Sequence, residues 1–191
     1  MTTAVATERR LPGDLAIWFF IFAELLVFGV LFLSYAFTRN GDVALFNASQ
    51  LTLDRVGGMF NTLALITSSY FVVRAVVAIR ADRQEACSRW LIAAMGMGGL
   101  FLAIKTAEFA GKFAAGVGLS TNTFYMFYLM MTFFHYMHVI LGMVILGYIL
   151  LKTRNGGYFA SEHTGIESGA SYWHMVDLVW IVLFPLVYVI R

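Results

Sequence analysis

Long apolar runs, separated by short polar linkers, dominate the pattern of residues along this chain. Five runs reach about 20 residues, the length that an α-helix needs to cross the hydrocarbon core of a membrane. They are too long, and too poor in apolar–polar alternation, to be strands of a membrane β-barrel. We therefore predict an all-α, polytopic membrane protein with a bundle of five transmembrane helices. The predicted spans are residues 15–37, 58–79, 90–111, 123–151 and 170–190.

The composition agrees with this pattern and excludes several classes of protein. Hydrophobic residues make up 60% of the 191 residues and charged residues only 13%, whereas soluble domains carry about 25% charged residues. The formal net charge of +2 is too small and too scattered for a nucleic-acid groove. A single Cys excludes a disulfide scaffold. The linkers are short and no repeat is visible, so we expect one membrane domain over residues 1–191.

The positive residues outside the spans predict the orientation. The first apolar run is 23 residues long and contains Glu24, so we interpret it as a retained helix and not as a signal peptide. With alternating spans, seven positive residues share the side of the N-terminus: Arg9, Arg10, Arg80, Arg83, Arg89, Lys152 and Arg154. Four lie on the other side: Arg39, Arg55, Lys112 and Arg191. This bias predicts a cytoplasmic N-terminus.

Ionisable side chains inside the spans are the first candidates for function, because they are costly in hydrocarbon and usually face protein or water. They are Glu24, Arg74, Lys105, Glu108, His135, His138, His174 and Asp177. Glu24 has no polar neighbour within its own helical turn. It is either a proton-linked or headgroup-contacting carboxyl, or a protonated side chain that makes one hydrogen bond between helices. A nearby cation such as His138 or Arg74 would favour its charged form.

Two histidine-containing pairs could carry chemistry. His135 and His138 are three residues apart and share one helix face. They could ligate a metal or a haem, but closed metal sites need three or four ligands, and no facing ligand is apparent on another span. We therefore favour packing and hydrogen bonding. His174 and Asp177 are also three apart, and we expect a structural hydrogen-bonded pair.

The third span carries two further patterns. Lys105, Glu108 and Lys112 are spaced for ion pairs along one helix, and we expect them to neutralise one another. Gly99, Ala103, Ala107 and Gly111 recur every fourth residue. A stripe of small side chains lets another helix approach closely, so we expect tight packing at this stripe.

Three segments resemble subunit III of the haem–copper oxidases. Residues 134–142 read as the family's F-H-x-x-H-V-x-x-G, and residues 172–180 are similar to its Y-W-H-x-V-D-x-V-W. Glu167 sits where the family's loop glutamate precedes the second segment. Residues 17–24 resemble W-L-F-I-x-S-E, with Ala23 in place of the usual Ser.

The departures point to a short form of the family. Its long form has seven helices, and this chain begins where the third of those would. It resembles the five-helix members found in quinol oxidases and in the NorE-type subunit associated with nitric oxide reductase. The start at residues 11–14 and the end at residues 183–186 look most like the NorE-type branch.

The resemblance implies a non-catalytic subunit in a bacterial cell membrane. It carries no haem or metal of its own, packs against a subunit I that holds haem and copper or iron, holds phospholipid, and supports proton uptake and sustained turnover. Glu24 matches the family's buried glutamate, and Arg154 lies near an expected lipid-phosphate arginine. The other motif positions, for which we expect structural roles, are His138, Glu108, His174 and Asp177. An independent transporter or channel is the alternative, although transporters commonly show repeats and broken helices.

Overall fold

The computed structural model describes residues 12–191, and this part of the chain is almost wholly helical. Six α-helices and a closing π-helical turn follow one another: α1 (Leu15–Gly41), α2 (Val43–Gln50), α3 (Arg55–Arg80), α4 (Gln84–Ala114), α5 (Thr123–Arg154), α6 (Thr164–Phe184) and the π-helix (Pro185–Val189). Five of the helices, all except α2, are long and apolar enough to cross a membrane. The predicted all-α fold with five spans is confirmed. Arg9, Arg10 and Leu11 lie outside the described residues.

The helices extend beyond the predicted spans because their polar ends are also helical. α4 begins at Gln84 instead of residue 90, and α6 begins at Thr164 instead of residue 170. Side-chain caps fix several starts: Asp14 accepts a hydrogen bond from the Ala16 backbone N–H, and Asn122 accepts one from Tyr125. Such caps satisfy backbone groups that lack a partner within the helix. A hydropathy window detects the hydrocarbon-spanning part and misses these polar turns.

Two short elements were not predicted from the sequence, and they contact each other. α2 is too short and too mixed in polarity to register as a span. Its buried Gln50 donates hydrogen bonds to the carbonyl of Val187 at 3.0 Å and to the hydroxyl of Tyr35 at 3.3 Å. Pro185 has no backbone N–H to donate, and the π-helical turn begins there. Gln50 thereby ties α2 to the end of the chain.

Helices α3, α4, α5 and α6 form the four-helix core of the protein. Each packs against two others in a closed square, α3 against α4, α4 against α5, α5 against α6 and α6 against α3. Helix α1 lies outside this square, against α5 and α6. Only Ile21, Phe28 and Tyr35 of α1 are buried. They recur every seventh residue, so α1 contacts the core along one narrow line.

The close approach of helices does not occur at the expected small-residue stripe. Ala103, Ala107 and Gly111 are exposed, and a Cβ atom added at Gly99 or Gly111 would meet nothing within 4 Å. The expectation of tight packing there within this chain was wrong. A Cβ at Gly142 of α5 would instead lie 2.7 Å from the Trp173 ring of α6.

The two ends of the bundle can be told apart by the start of α1. We call this end the N-terminal side, and the opposite end, where α2 lies, the C-terminal side. On the N-terminal side, Glu167 of α6 accepts hydrogen bonds from the Arg80 side chain of α3 and from the Gly13 backbone N–H. Glu167 therefore joins the start of α1 to the end of α3 and the start of α6.

Candidate functional site

Glu24 and His138 form a contact between α1 and α5 in the middle of their spans. The Nε2 atom of His138 lies 3.0 Å from the Oε2 atom of Glu24. The side chains are 9% and 19% exposed, respectively, so the carboxyl is the more open of the two. The pair joins two helices whose contacting residues are 114 positions apart in the chain. The sequence left open whether His138 or Arg74 lies near Glu24, and the structure shows that His138 does.

The other hydrogen bond of His138 restricts where its protons can be. The Nδ1 atom lies 2.8 Å from the backbone carbonyl of Phe134, which can only accept, so Nδ1 carries a hydrogen. The contact between Nε2 and Glu24 then needs one further proton. That proton sits either on Glu24, which donates to a neutral imidazole, or on His138, which donates to a carboxylate. The pair is neutral overall in both forms, which suits its position in the membrane.

Aromatic side chains hold His138 in place. Its ring lies 4.6 Å from the ring of Phe134 and 5.4 Å from that of Phe28, measured between centroids, and both contacts are edge-on. The hydroxyl of Tyr172 donates to the His138 carbonyl at 3.1 Å. Helices α1, α5 and α6 thus each contribute an aromatic residue that packs against His138 or donates a hydrogen bond to it.

An apolar groove runs beside the pair toward the C-terminal side. Its volume is about 740 Å³, and every residue that lines it is apolar. Val27 and Leu31 of α1 form one wall, Phe109 and Phe113 of α4 the other, and α5 supplies most of the floor. Phe134 lines the groove and also accepts the hydrogen bond from His138. The groove and the Glu24–His138 pair therefore share a residue.

A buried salt bridge lies inside the four-helix core. The Lys105 Nζ atom is 2.9 Å from Glu108, and the two side chains are 0% and 8% exposed. Glu108 also accepts hydrogen bonds from the hydroxyls of Tyr128 at 2.7 Å and Tyr188 at 2.9 Å. α4, α5 and the π-helix meet at this carboxylate. We call these four residues the Lys105–Glu108 cluster.

Aromatic rings surround the ammonium group of Lys105. Its Nζ atom lies between 4.9 and 5.6 Å from the ring centroids of Phe109, Tyr128, Trp180 and Tyr188. Such rings attract a cation through the negative charge of their faces. The predicted ion pair between Lys105 and Glu108 is present, but Lys112 is not part of it. Lys112 donates to the Thr52 carbonyl at 2.7 Å instead.

The predicted pairing of His174 with Asp177 was wrong. The Nδ1 atom of His174 lies 2.5 Å from the hydroxyl of Ser69, on α3. The Oδ1 atom of Asp177 is buried and has no hydrogen-bond partner within residues 12–191. Helical spacing brought the two onto neighbouring turns, but the packing of α3 decided the partner. Arg74 is also away from Glu24, because its guanidinium stacks on Trp90 at 4.9 Å.

Arg154 lies at the N-terminal side, at the end of α5. It is exposed and lines a cavity of about 390 Å³ together with Arg89, Ser88 and Thr153. The cavity also has an acidic residue, Glu85. Arg154 is near the opposite end of α5 from the residues that line the apolar groove, so the two features are separated along the bundle.

No cluster of three or more His, Cys, Asp or Glu residues within the described part of the chain could hold a metal ion. His135 faces the aromatic rings of Trp180 and Phe101, and it is fully buried. The expected absence of a cofactor stays a prediction, which metal analysis of the purified chain can test.

Sequence reasoning missed the residues of other helices that contact the predicted site residues or line a cavity with them. They are Ser69, Arg89, Tyr128, Tyr172 and Tyr188. A tyrosine in an apolar helix looks like ordinary core or interface material. The one usable signal was that Tyr125, Tyr128, Thr132, His135 and His138 follow one face of α5 at helical spacing.

The fold and these contacts define a multi-pass membrane protein with polar groups buried between its helices. The family of cytochrome c oxidase subunit III matches residues 6–190. The chain is 36% identical over 172 residues to cytochrome c oxidase subunit 3 of Thermostichus vulcanus, an alignment that covers 90% of this chain and 84% of the relative. This chain belongs to the cytochrome c oxidase subunit III family.

Two further relatives show the range of this similarity. The haem–copper oxidase subunit I+III of Aeropyrum pernix is 30% identical over 181 residues, covering 92% of this chain and 22% of that longer protein. A probable quinol oxidase subunit 3 of Staphylococcus saprophyticus is 27% identical over 178 residues, covering 93% and 89%. Family membership decides against the independent transporter or channel considered above.

Proposed function

We propose that this chain is the non-catalytic third subunit of a respiratory haem–copper oxidase or nitric oxide reductase complex. In this role it packs against a subunit I-type chain that holds the haem and the metal, holds phospholipid, and supports proton uptake and sustained turnover. The fusion of subunits I and III in the Aeropyrum pernix relative supports a physical partnership between these two chains.

The observation that carries this proposal is the shared Phe134. An acyl chain in the apolar groove would press on Phe134, Val27 and Leu31. Phe134 fixes the ring of His138, and Val27 lies one turn from Glu24 on α1. Lipid in the groove therefore stabilises the contact of α1 with α5, and with it the geometry of the Glu24–His138 pair.

A second lipid contact is proposed at Arg154. Its cavity offers two guanidinium groups, from Arg154 and Arg89, and the hydroxyls of Ser88 and Thr153. Guanidinium groups bind phosphate strongly because they donate two parallel hydrogen bonds. We therefore assign Arg154 to a lipid phosphate on the N-terminal side. Its acidic neighbour Glu85 favours a zwitterionic headgroup over one with additional negative charge.

The orientation and the branch of the family are also part of the proposal. The positive residues favour a cytoplasmic N-terminal side in a bacterial cell membrane. The sequence Leu183-Phe184-Pro185-Leu186, where α6 passes into the π-helix, favours the NorE-type branch. The relatives described above are oxidase subunits, so the partner chain distinguishes between the branches.

Two measurements on the purified complex test the proposal. The first identifies the chain that purifies with this subunit and records the absorption spectrum of that chain. We expect a haem-containing subunit I-type chain, and a subunit that purifies without one would contradict the proposal. The second compares the complex with and without this subunit. We expect similar initial rates and a faster loss of activity during turnover when it is absent.

Filling the groove tests the part played by lipid. Val27→Trp places a large ring where the acyl chain would lie, and Val30→Trp places the same ring on an exposed part of α1 outside the groove. We expect fewer lipids in native mass spectra, and a shorter active lifetime, for Val27→Trp only. Equal lipid content in both variants would argue against a lipid in this groove.

A further inference from the structure

Two polar side chains in the four-helix core have no hydrogen-bond partner within the part of the chain that the structure describes. Asn61 of α3 and His135 of α5 are both 0% exposed. Neither amide atom of Asn61 and neither ring nitrogen of His135 accepts or donates a hydrogen bond within residues 12–191. Most buried polar side-chain atoms in proteins do have a partner, either in the protein or in ordered water. These four atoms therefore need an explanation.

Contacts with Trp180 place His135 and the residue that follows Asn61 in one layer of the bundle. The Trp180 indole donates to the hydroxyl of Thr62, the residue after Asn61, at 3.0 Å. The ring of His135 stacks on Trp180 with centroids 5.2 Å apart. Phe101 of α4 touches both rings, at 4.9 Å from Trp180 and 5.7 Å from His135. All four core helices thus contribute to this layer: α5 supplies His135, and α3 supplies Thr62, the chain neighbour of Asn61.

A further hydrogen-bond donor adjoins the layer. The Nζ atom of Lys105 lies 5.6 Å from the centroid of the Trp180 ring. It donates to Glu108 at 2.9 Å and to Tyr188 at 2.5 Å, but its third contact, with Tyr128, is 3.5 Å long. An ammonium group has three N–H donors, so one of them is poorly used by the protein.

We propose that Asn61 and His135 hold a buried cluster of ordered water molecules in this layer, beside Lys105. A neutral imidazole offers one donor and one acceptor, and a carboxamide offers two donors and an acceptor. Water can match such a mixed set, because each buried molecule makes about three hydrogen bonds of either kind. A metal cation does not fit these two side chains, because they supply neither a carboxylate nor a thiolate ligand, and residues 12–191 contain no cluster of three or more His, Cys, Asp or Glu residues that could hold one. This inference does not depend on the proposed function.

Radical labelling of the full chain in lipid nanodiscs tests the proposal directly. X-ray pulses generate hydroxyl radicals from water in place, and the radicals label side chains that touch that water. Phe101 contacts His135, whereas Phe46 packs among Tyr35 and Phe124, and both phenylalanines are 0% exposed. We expect several-fold more label on Phe101 than on Phe46. Equal and low labelling of the two would overturn the proposal.

A variant pair shows which side chains hold the water. Asn61→Leu combined with His135→Phe removes all four polar atoms, and we expect labelling of Phe101 to fall to the level of Phe46. Ser68→Ala is the control, because its hydroxyl already donates to the Ala94 carbonyl at 2.8 Å, and labelling should stay high. Unchanged labelling in the double variant would assign the water to other groups and overturn the proposal. If the double variant does not fold, the wild-type comparison decides alone.

Discussion

The Glu24–His138 pair and the Lys105–Glu108 cluster both combine a carboxyl group with a basic side chain, but the surroundings of the two sites differ. In the cluster, three elements converge on Glu108, and Lys105 and two tyrosines donate to it. In the pair, Glu24 has one protein partner within the described residues and is 19% exposed on a helix that packs along one narrow line.

This difference suggests a structural role for the cluster and a role for the pair in which the position of its proton can change. Glu108 is held in place by three donors, and moving any of them weakens the stabilisation of a buried charge in a region of low dielectric. The Glu24–His138 pair shares one proton and can rearrange without creating net charge. The cluster therefore anchors the core, and the pair is the better candidate for a contribution to proton supply.

The largest effect is expected from breaking the cluster. Lys105→Met leaves Glu108 as a buried carboxylate without its cation, and removing one member of a buried pair costs about 3–5 kcal/mol. We expect a large loss of folded protein in thermal unfolding and in yield. Lys112→Met is the control, because the Lys112 ammonium contacts Thr52 and Tyr125 and makes no hydrogen bond to Glu108 among residues 12–191. The double variant Lys105→Met with Glu108→Gln should recover part of the loss, and no recovery would show that the charge is not the cause.

A smaller loss is expected from overfilling the contact between α5 and α6. Gly142→Leu forces a branched side chain against Trp173, and such overpacking typically costs about 1–3 kcal/mol. Gly99→Leu adds the same side chain where nothing lies within 4 Å. We expect a lower unfolding temperature for Gly142→Leu and little change for Gly99→Leu in the isolated subunit. The opposite order would mean that the stripe on α4 packs within this chain after all.

The spans were predictable because apolar length alone determines which segments can cross a membrane. Their orientation about the helix axis was not, and the stripe beginning at Gly99 shows why. In lipid, the outer and inner faces of a helix are both apolar, so hydrophobicity does not indicate which face packs. The small residues of α4 therefore suggested a close helix contact at the wrong place. The close contact described above is instead made between α5 and α6, at Gly142.

Residue spacing identified a correct pair in the site only for two partners on one helix, and for Glu24 the sequence left His138 and Arg74 as alternative partners. Lys105 and Glu108 are three residues apart, and spacing alone suggested their ion pair. His138 is 114 residues from Glu24, and Ser69 is 105 from His174, so neither contact is visible in local spacing. For His174, the local pattern suggested Asp177, and this prediction failed because the helix packing supplied a better partner.

The smallest structural change tests the central claim that Glu24 contributes to sustained function and not to the fold. Glu24→Gln keeps the shape and one hydrogen bond to His138 but cannot share a proton in the same way. The measurement is enzymatic turnover of the assembled complex over many cycles, together with its lipid content. We expect normal assembly, a normal initial rate and a faster decay of activity. A complex with wild-type rate, wild-type lifetime and unchanged bound lipid would contradict the account and leave Glu24 as a structural residue.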